Sequence, residues 1–460
     1  MRAASLQEIA EALGTTLAGG DGSALIRGAA TDSRTVRDGD LFFALRGNTD
    51  GANFAAEACL RGAIAVVAER QLDVPTLVVE DTLTALQELA RWSLRRAEAS
   101  APLVVGITGS VGKTTTKDAL AAILRSVGRK VTATEGNFNN EIGLPLTALS
   151  ASERAEILVL EMGATHPGDI QHLCRIAPPQ VGILTAIAPA HLESFGSIEG
   201  LAAAKGELAN SLPEDGSFVS PAGVPEAALA SGKKLARRIV FSVESSEGAN
   251  LWASDLEERE DGLRFVVHFG DRLAEVRSPV FGTHLVQPLL AALGGAIALG
   301  IDLEDAAKGM ARLRRTGMRG DLYHLRDDIL FYDDSYNAAS PTSMAAVLRY
   351  SAKAAQREGR RLVVVLGGMF ELGPGSRAYH REIGELADEL GVDLLAYIGD
   401  EARWYAETFT GETAFYPDAE TAADMFHAAL HQGDYVLVKG SRGVKLDTLT
   451  RKLRESLALV

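Results

Sequence analysis

Two rhythms of apolar residues run along the chain. Short unbroken apolar runs, such as Leu103-Val-Val, Ile157-Leu-Val-Leu and Gly182-Ile-Leu, have the length and composition of buried strands. Between them apolar positions fall three and four apart, as on one face of a helix; residues 117–125 place Ala119, Leu120, Ile123 and Leu124 together in this way. From Ala101 the order is strand, helix, strand, repeated, with strands at 103–108, 157–161, 181–186 and 217–220 and a helix at 198–212, the mark of a parallel sheet with crossover helices. A second alternation follows Arg319. A strand begins at Leu330 and ends in a polar cluster near Asn337, and Pro341 opens a helix to about Ala355. Strands at 362–366, 394–399 and 435–439 then alternate with helices at 376–390, 400–409 and 444–457. In the first hundred residues a short helix (6–13) precedes strands separated by Asp-Gly turns within 30–47. A helix at 54–61, strands at 63–68 and 76–79, and a helix at 82–97 complete that region. The expected fold class is α/β in three domains: a small N-terminal α/β domain (1–98), a central parallel-sheet domain (99–317) and a C-terminal Rossmann-like domain (318–460).

Composition adds limits. At 460 residues the chain exceeds one ordinary core, and about 150 residues per domain suggests three. Apolar content of 47% with 23% charged residues is that of a globular soluble protein and excludes disorder. A net charge of −15 argues against a nucleic-acid partner or an anionic membrane surface, so any phosphate site must be basic locally. Cys59 and Cys174 are the two cysteines, without metal-type spacing, and MRAASLQEIAEALG holds neither a signal-peptide apolar region nor a membrane span. A reducing cytoplasm is the expected location.

Candidate chemistry gathers where strands end. Thr108, Gly109, Ser110, Val111, Gly112, Lys113, Thr114 and Thr115 form a glycine turn between strand and helix. Its backbone N–H groups and the helix N-terminus make an anion cradle, Lys113 adds a mobile charge, and Thr114 offers a hydroxyl to a magnesium ion. The spacing is T-G-x-x-G-K-T, with Ile107 where the general phosphate-loop pattern has glycine. A nucleoside triphosphate is the expected ligand; an NTPase, a kinase and a motor all remain open at this point. Glu161, closing Ile157-Leu-Val-Leu, is a candidate ligand for the same magnesium. His191 lies just past the strand of 181–186. The loop Glu135-Gly-Asn-Phe-Asn-Asn carries Asn137, Asn139 and Asn140, suited to orienting an amide-bearing or phosphorylated ligand. Ser33 and Arg34, beside Arg46 and Gly47, could hold a phosphate or uridine, or make an ordinary surface turn. Lys439, Ser441 and Arg442 follow a strand end, where a substrate carboxylate or plain solvent would suit them. Read alone, Lys205 is a surface residue. Gly367-Gly-Met-Phe-Glu-Leu-Gly373 lacks the dinucleotide fingerprint.

In this order and at these distances the segments resemble the Mur ligase family nearly end to end. The carriers are Asp32-Ser-Arg34 with Gly39-Asp-Leu-Phe-Phe-Ala-Leu-Arg-Gly47, the glycine turn, Gly136-Asn-Phe-Asn-Asn-Glu-Ile-Gly143, Glu161-Met-Gly163 and Ala190-His-Leu-Glu-Ser-Phe-Gly196. Lys205-Gly-Glu207, Thr316-Gly-Met-Arg319, Asp333-Asp-Ser-Tyr-Asn-Ala338 and Val438-Lys-Gly-Ser-Arg442 continue the series. The Asn-Phe-Asn-Asn and Asp-Asp-Ser-Tyr-Asn-Ala stretches point to the branch that adds D-alanyl-D-alanine. The resemblance implies an ATP-dependent amide ligase of peptidoglycan precursor synthesis. ATP phosphorylates the terminal carboxylate of a UDP-N-acetylmuramoyl-tripeptide, and the amine of D-alanyl-D-alanine attacks the acyl phosphate. It implies a UDP-sugar site in the first domain and the incoming amine on the third. It also implies two magnesium ions, with Thr114 and Glu161 on one, His191 serving the other, and Lys205 carried as a carbamate. Lys113, His191, Lys205 and Asn140 form the expected catalytic set. His284, Arg319, Asp334 and Asn337 are expected on the ATP side, Asp334 toward the ribose. Ser33, Arg34, Gly47, Asn137, Asn139, Lys439, Ser441 and Arg442 are expected on substrate. A monomer is expected.

Two departures from the family pattern stand out. Where relatives carry His-Asn-x-x-Asn, this chain has His284-Leu-Val-Gln-Pro288, which removes both asparagines from the adenine region and leaves Gln287 as the substitute. Gly51-Ala-Asn-Phe54 lacks the histidine usual near the uridine site. A sister ligase with another amino acid or a folate-like acceptor, and a nucleotide-binding scaffold without catalysis, are the alternatives.

Overall fold

The structure, a computed structural model, describes residues 1–96, 101–190, 192–229, 232–243, 245–259, 261–314, 317–336 and 340–458. Three large sheets follow one another along the chain, besides a two-stranded antiparallel pair of Ala4–Ser5 with Leu25–Ile26. In the central one the strands lie in the order Val131–Ala133, Ile157–Glu161, Leu103–Thr108, Val181–Leu184, Ser217–Pro221, Arg237–Ser242 and Leu251–Arg259, all parallel, and Gly262–Phe269 and Arg272–Ser278 extend it as antiparallel hairpins. Helices cover both faces, which is why the inner strands are apolar without alternation. Val105, Ile107 and Val159 face Ala119, Ile123 and Leu293 on one side; Val104, Leu158 and Leu160 face Leu144, Ile170 and Leu208 on the other. Leu103–Thr108 lies between Ile157–Glu161 and Val181–Leu184, so the chain leaves it in both directions and opens a crevice above the strands' carboxyl ends.

The first sheet runs Leu17–Ala18, Thr76–Val78, Ala65–Ala68, Asp40–Phe43, Gly28–Ala30, antiparallel only at its first pair. Its inner face has no core to itself: Leu6, Phe43 and Leu86 belong to one apolar cluster with Leu144, Met162 and Leu201 of the central layer. The third sheet runs Asp321–His324, Leu330–Asp334, Tyr435–Lys439, Leu362–Gly367, Leu394–Ile398, Glu412–Tyr416, with only its first pair antiparallel. It fills its own cores, to which the central region contributes Phe281. Tyr332 Oη donates to the Phe281 carbonyl at 3.0 Å, a hydrogen bond across that junction.

Several elements differ from expectation. The helix after the glycine turn begins four residues earlier, at Lys113, because Gly112 in left-handed conformation admits it. The strand from Leu330 stops at Asp334, and Asn337 falls outside the described residues. The segment expected as a helix at 400–409 is a 3-10 stretch, Glu401–Glu407. The antiparallel strands of 251–278 and the edge strand Glu412–Tyr416 were not anticipated. Among the described residues no helix is long and apolar enough to cross a membrane.

Candidate active site

The glycine turn is stitched to the neighbouring strand end. Thr185 N–H donates to Thr108 O at 2.9 Å, Ser110 N–H to Ala186 O at 2.9 Å, and Ala188 N–H to Ser110 Oγ at 3.1 Å. Thr108 Oγ1 donates to Met162 O, tying the turn to the other flanking strand. Gly109 has φ +144°, and a Cβ there would lie 2.1 Å from Thr185 Oγ1. Strain and clash coincide, so Gly109→Ala displaces the cradle. Nucleotide binding, read by calorimetry with ADP and Mg2+, should weaken at least about tenfold; unchanged affinity would mean the cradle tolerates the shift. Lys113 Nζ donates to Gly109 O at 2.6 Å, folded back over the turn. Enclosure lowers the pKa of its ammonium, opposed by Glu161 and reinforced by Arg319.

Glu161 is gripped from three sides. Thr114 Oγ1 donates to Oε2 at 2.8 Å, Asn139 Nδ2 donates to Oε1 at 2.8 Å, and Glu161 N–H donates to Thr134 Oγ1 at 2.9 Å. A carboxylate and a hydroxyl, both hard oxygen donors beside a phosphate cradle, suit Mg2+. Among the described residues no three His, Cys, Asp or Glu side chains converge on one point. His191 lies outside the described residues.

Lys205, on the helix Ile198–Ser211, is 3% exposed, contrary to its surface reading. Its Nζ reaches the Ala164 carbonyl at 3.5 Å and lies 5.6 Å from the Phe195 ring centre. Burial first, then the charge of Lys113, lower its pKa to about 7 against the opposing pull of Asp169 and Glu207. Near neutral pH this is a partly uncharged amine, the form that reacts with carbon dioxide. Glu207 is itself engaged, accepting from Gly168 N–H at 2.6 Å and Gln171 N–H at 3.0 Å and so capping the helix Asp169–Ile176.

Opposite the turn, the third sheet presents cations. Arg319 stacks at 4.0 Å and Arg442 at 5.2 Å from the centre of the Tyr336 ring. Lys439, 3% exposed, pairs with Asp334 Oδ2 at 2.5 Å, so two residues expected to meet different ligands meet each other. His284 is half-buried, and its Nδ1 is sealed from solvent without a hydrogen-bond partner among the described residues. Desolvation lowers its pKa to about 4, with Asp334 pulling the other way and Lys439 adding to the fall. Gln287 Nε2 donates to Thr185 O at 2.9 Å, which fixes its amide against the turn. The turn with Thr115, Glu161, Lys205, Arg319 and Asp334 lines one cleft of about 610 Å3. Asn137, Asn139 and Asn140 line it as well. Asn140 Oδ1 also accepts from Gly143 N–H at 2.9 Å, so part of its capacity goes to holding the helix Gly143–Ser150.

Four expected substrate residues lie outside this cleft. Arg34 forms a two-pronged pair with Asp32, at 2.9 and 2.6 Å, and holds that carboxyl down at about 2. Ser33 Oγ donates to Glu57 at 3.0 Å, and Gly47 is exposed, its N–H on Thr49 O. Ser441 Oγ accepts from Phe370 N–H at 3.0 Å. Thr185 and Lys117 were not singled out by sequence; a strand-end threonine and a helical lysine carry no distinguishing signal.

With this geometry in hand, comparison with known proteins is specific. A family model described as "Mur ligase middle domain" matches residues 107–296, and "Mur ligase, glutamate ligase domain" matches 318–442. The UDP-N-acetylmuramoyl-tripeptide–D-alanyl-D-alanine ligase of Bacillus subtilis (strain 168) is 35% identical, with 98% of each chain covered. Among solved structures, MurF from Acinetobacter baumannii superposes with TM-score 0.85 at 31% identity over 99% of each chain. MurF from Thermotoga maritima in complex with ADP has TM-score 0.79 at 32% identity, covering 93% of this chain and 97% of that one. The chain belongs to the Mur ligase family.

Proposed function

We propose that the chain is the ATP-dependent ligase that joins D-alanyl-D-alanine to UDP-N-acetylmuramoyl-tripeptide in peptidoglycan precursor synthesis. The observation that carries this reading is the meeting of Lys113 and Arg319 with the Thr114–Glu161 pair in one cleft, in a protein whose net charge is −15. Such a cleft suits a reaction in which two anions must meet. The peptide carboxylate attacks the γ-phosphorus of ATP and ADP leaves; the dipeptide amine, having lost a proton, adds to the acyl phosphate; the tetrahedral adduct expels phosphate and leaves an amide. Lys113 turns from Gly109 O to the phosphates and offsets the repulsion between carboxylate and phosphoryl oxygens. The N–H groups of the turn hold the triphosphate in line. Mg2+, when bound, supplies charge neutralisation at the phosphates, and Thr114 and Glu161 are the residues that would hold it; His191 and a carbamate on Lys205 would serve a second ion.

The first domain (1–98) takes the UDP-sugar near Ser33, Arg34 and Gly47. The central domain (99–317) takes ATP, with His284, Arg319, Asp334 and Asn337 on the nucleotide side. The third (318–460) brings the dipeptide, with Lys439, Ser441 and Arg442 toward its carboxylate. Asn137 and Asn139 orient the tripeptide end, and Asn140 and His191 complete the catalytic group. The enzyme acts as a cytoplasmic monomer. Phosphate release from ATP tests this reading: it should require both UDP-N-acetylmuramoyl-tripeptide and D-alanyl-D-alanine. Equal release without the dipeptide, or with a single amino acid in its place, would overturn it.

A further inference from the structure

Lys117 is a buried cation outside the cleft. It sits one turn after Thr114 on the helix Lys113–Ser126, so both side chains leave the same face. Thr114 grips the Glu161 carboxylate, while Lys117 Nζ donates to the Thr134 carbonyl at 2.7 Å. Thr134 directly follows the strand Val131–Ala133, and its N–H donates to Val159 O at 3.0 Å. Its hydroxyl accepts from Glu161 N–H at 2.9 Å. Lys117 thus holds, through one residue, the backbone from which Glu161 projects. Among the described residues its counter-charge is the adjacent Asp118, at 2.9 Å, whose other carboxylate oxygen is buried without a hydrogen-bond partner there. Enclosing an ammonium is unfavourable unless charge and hydrogen bonds compensate, and one oxygen of this counter-ion is unused. An apolar side chain would fill the same place at lower cost, so stability alone does not account for a lysine here.

We propose that Lys117 is a positioning residue for the metal-binding carboxylate: its hydrogen bond to Thr134 fixes the Glu161 backbone, so that the carboxylate meets Thr114 and a divalent cation in one geometry. The inference rests on the assignment of Glu161 to a nucleotide-bound metal, made above. Outer partners of this kind change metal affinity by about 10–100-fold when removed.

The test is Mn2+ binding to the full-length protein with ADP, followed by electron paramagnetic resonance. In Lys117→Met, which keeps the stem and removes the ammonium, the Mn2+ dissociation constant should rise about tenfold or more. Lys117→Arg should recover most of the loss. Thr134→Val removes the hydroxyl that receives Glu161 N–H and should shift Mn2+ affinity in the same direction, which keeps the test decisive where Lys117→Met does not fold. Affinities within twofold of the parent in every folded variant, with only the melting temperature lowered, would overturn the positioning role. A parent protein that binds no Mn2+ with ADP would instead overturn the metal assignment itself.

Discussion

Replacing Lys113 by methionine should lower ATP-dependent phosphate release on the order of a thousandfold, the scale seen when a preorganised charge is removed from a transition state. The methionine stem occupies the same space, so packing is preserved and the loss reports the ammonium. Unlike charges gain and like charges lose most in a dry cleft, and the carboxylate meets the phosphoryl group there. Lys113 now rests on Gly109 O, 2.6 Å away. That is a parking position a phosphate oxygen can displace, since a charge-assisted bond to an anion exceeds one to a carbonyl. ADP affinity, held largely by backbone N–H groups, should fall far less than turnover. Lys113→Arg should not restore the rate, because a planar fork cannot fold back into the space a lysine occupies. Turnover within tenfold of the parent would remove Lys113 from the transition state.

Lys205→Ala should abolish turnover as well, and, on the proposal that Lys205 carries a carbamate, formate or acetate at millimolar concentration should restore part of it by standing in for that group. The chemistry balances: amine plus carbon dioxide gives a carbamate anion and a proton. It requires the neutral amine. With the pKa of Lys205 lowered to about 7, the parent enzyme in limiting bicarbonate should lose activity as pH falls through that value. The stability consequence has a definite sign. Between about 7 and the ordinary lysine value of 10.5, the unfolded chain binds a proton that the folded chain does not, so this group's contribution to stability rises with pH across that window. Lys205→Met, which removes the buried cation, should therefore melt at or above the parent temperature near pH 7 while remaining inactive. A Lys205→Ala enzyme with parental turnover would sink the carbamate; rescue by chloride as well as by carboxylates would reduce the requirement to any anion.

The glycine turn was legible because its pattern is local: two glycines, a lysine and a threonine at fixed spacing between a strand and a helix suffice to define it. The place of Glu161 beside the turn was legible for the same reason, as the polar end of an apolar strand. Lys205 was not, because what buries it is tertiary: its helix packs against Asp169–Ile176 and Phe195, and neither contact leaves a trace in Ala-Ala-Ala-Lys-Gly-Glu. The strands of 251–278 were missed for another reason. Their burial alternates, one face inward and one in solvent, and a bulge between Ser254 and Glu257, where Asp255 has φ +51°, breaks the period. Ser33 and Arg34 could not be decided from sequence, and the structure engages both with carboxylates of their own domain.

The way the cores are divided bears on how such an enzyme can change over generations. The first and central layers share one apolar cluster, so a substitution at Phe43 or Leu86 is felt beneath Leu144 and Met162, and the two must drift together. Gln87 tightens that dependence, donating to the Glu141 carbonyl at 3.1 Å beside the loop that carries Asn139. The third sheet fills separate clusters and touches the centre through Phe281 and Tyr332. Selection can therefore repack the interior of the third lobe without disturbing the other two, whereas Arg319, Asp334 and Lys439, which that lobe sends into the shared cleft, must change in step with the glycine turn.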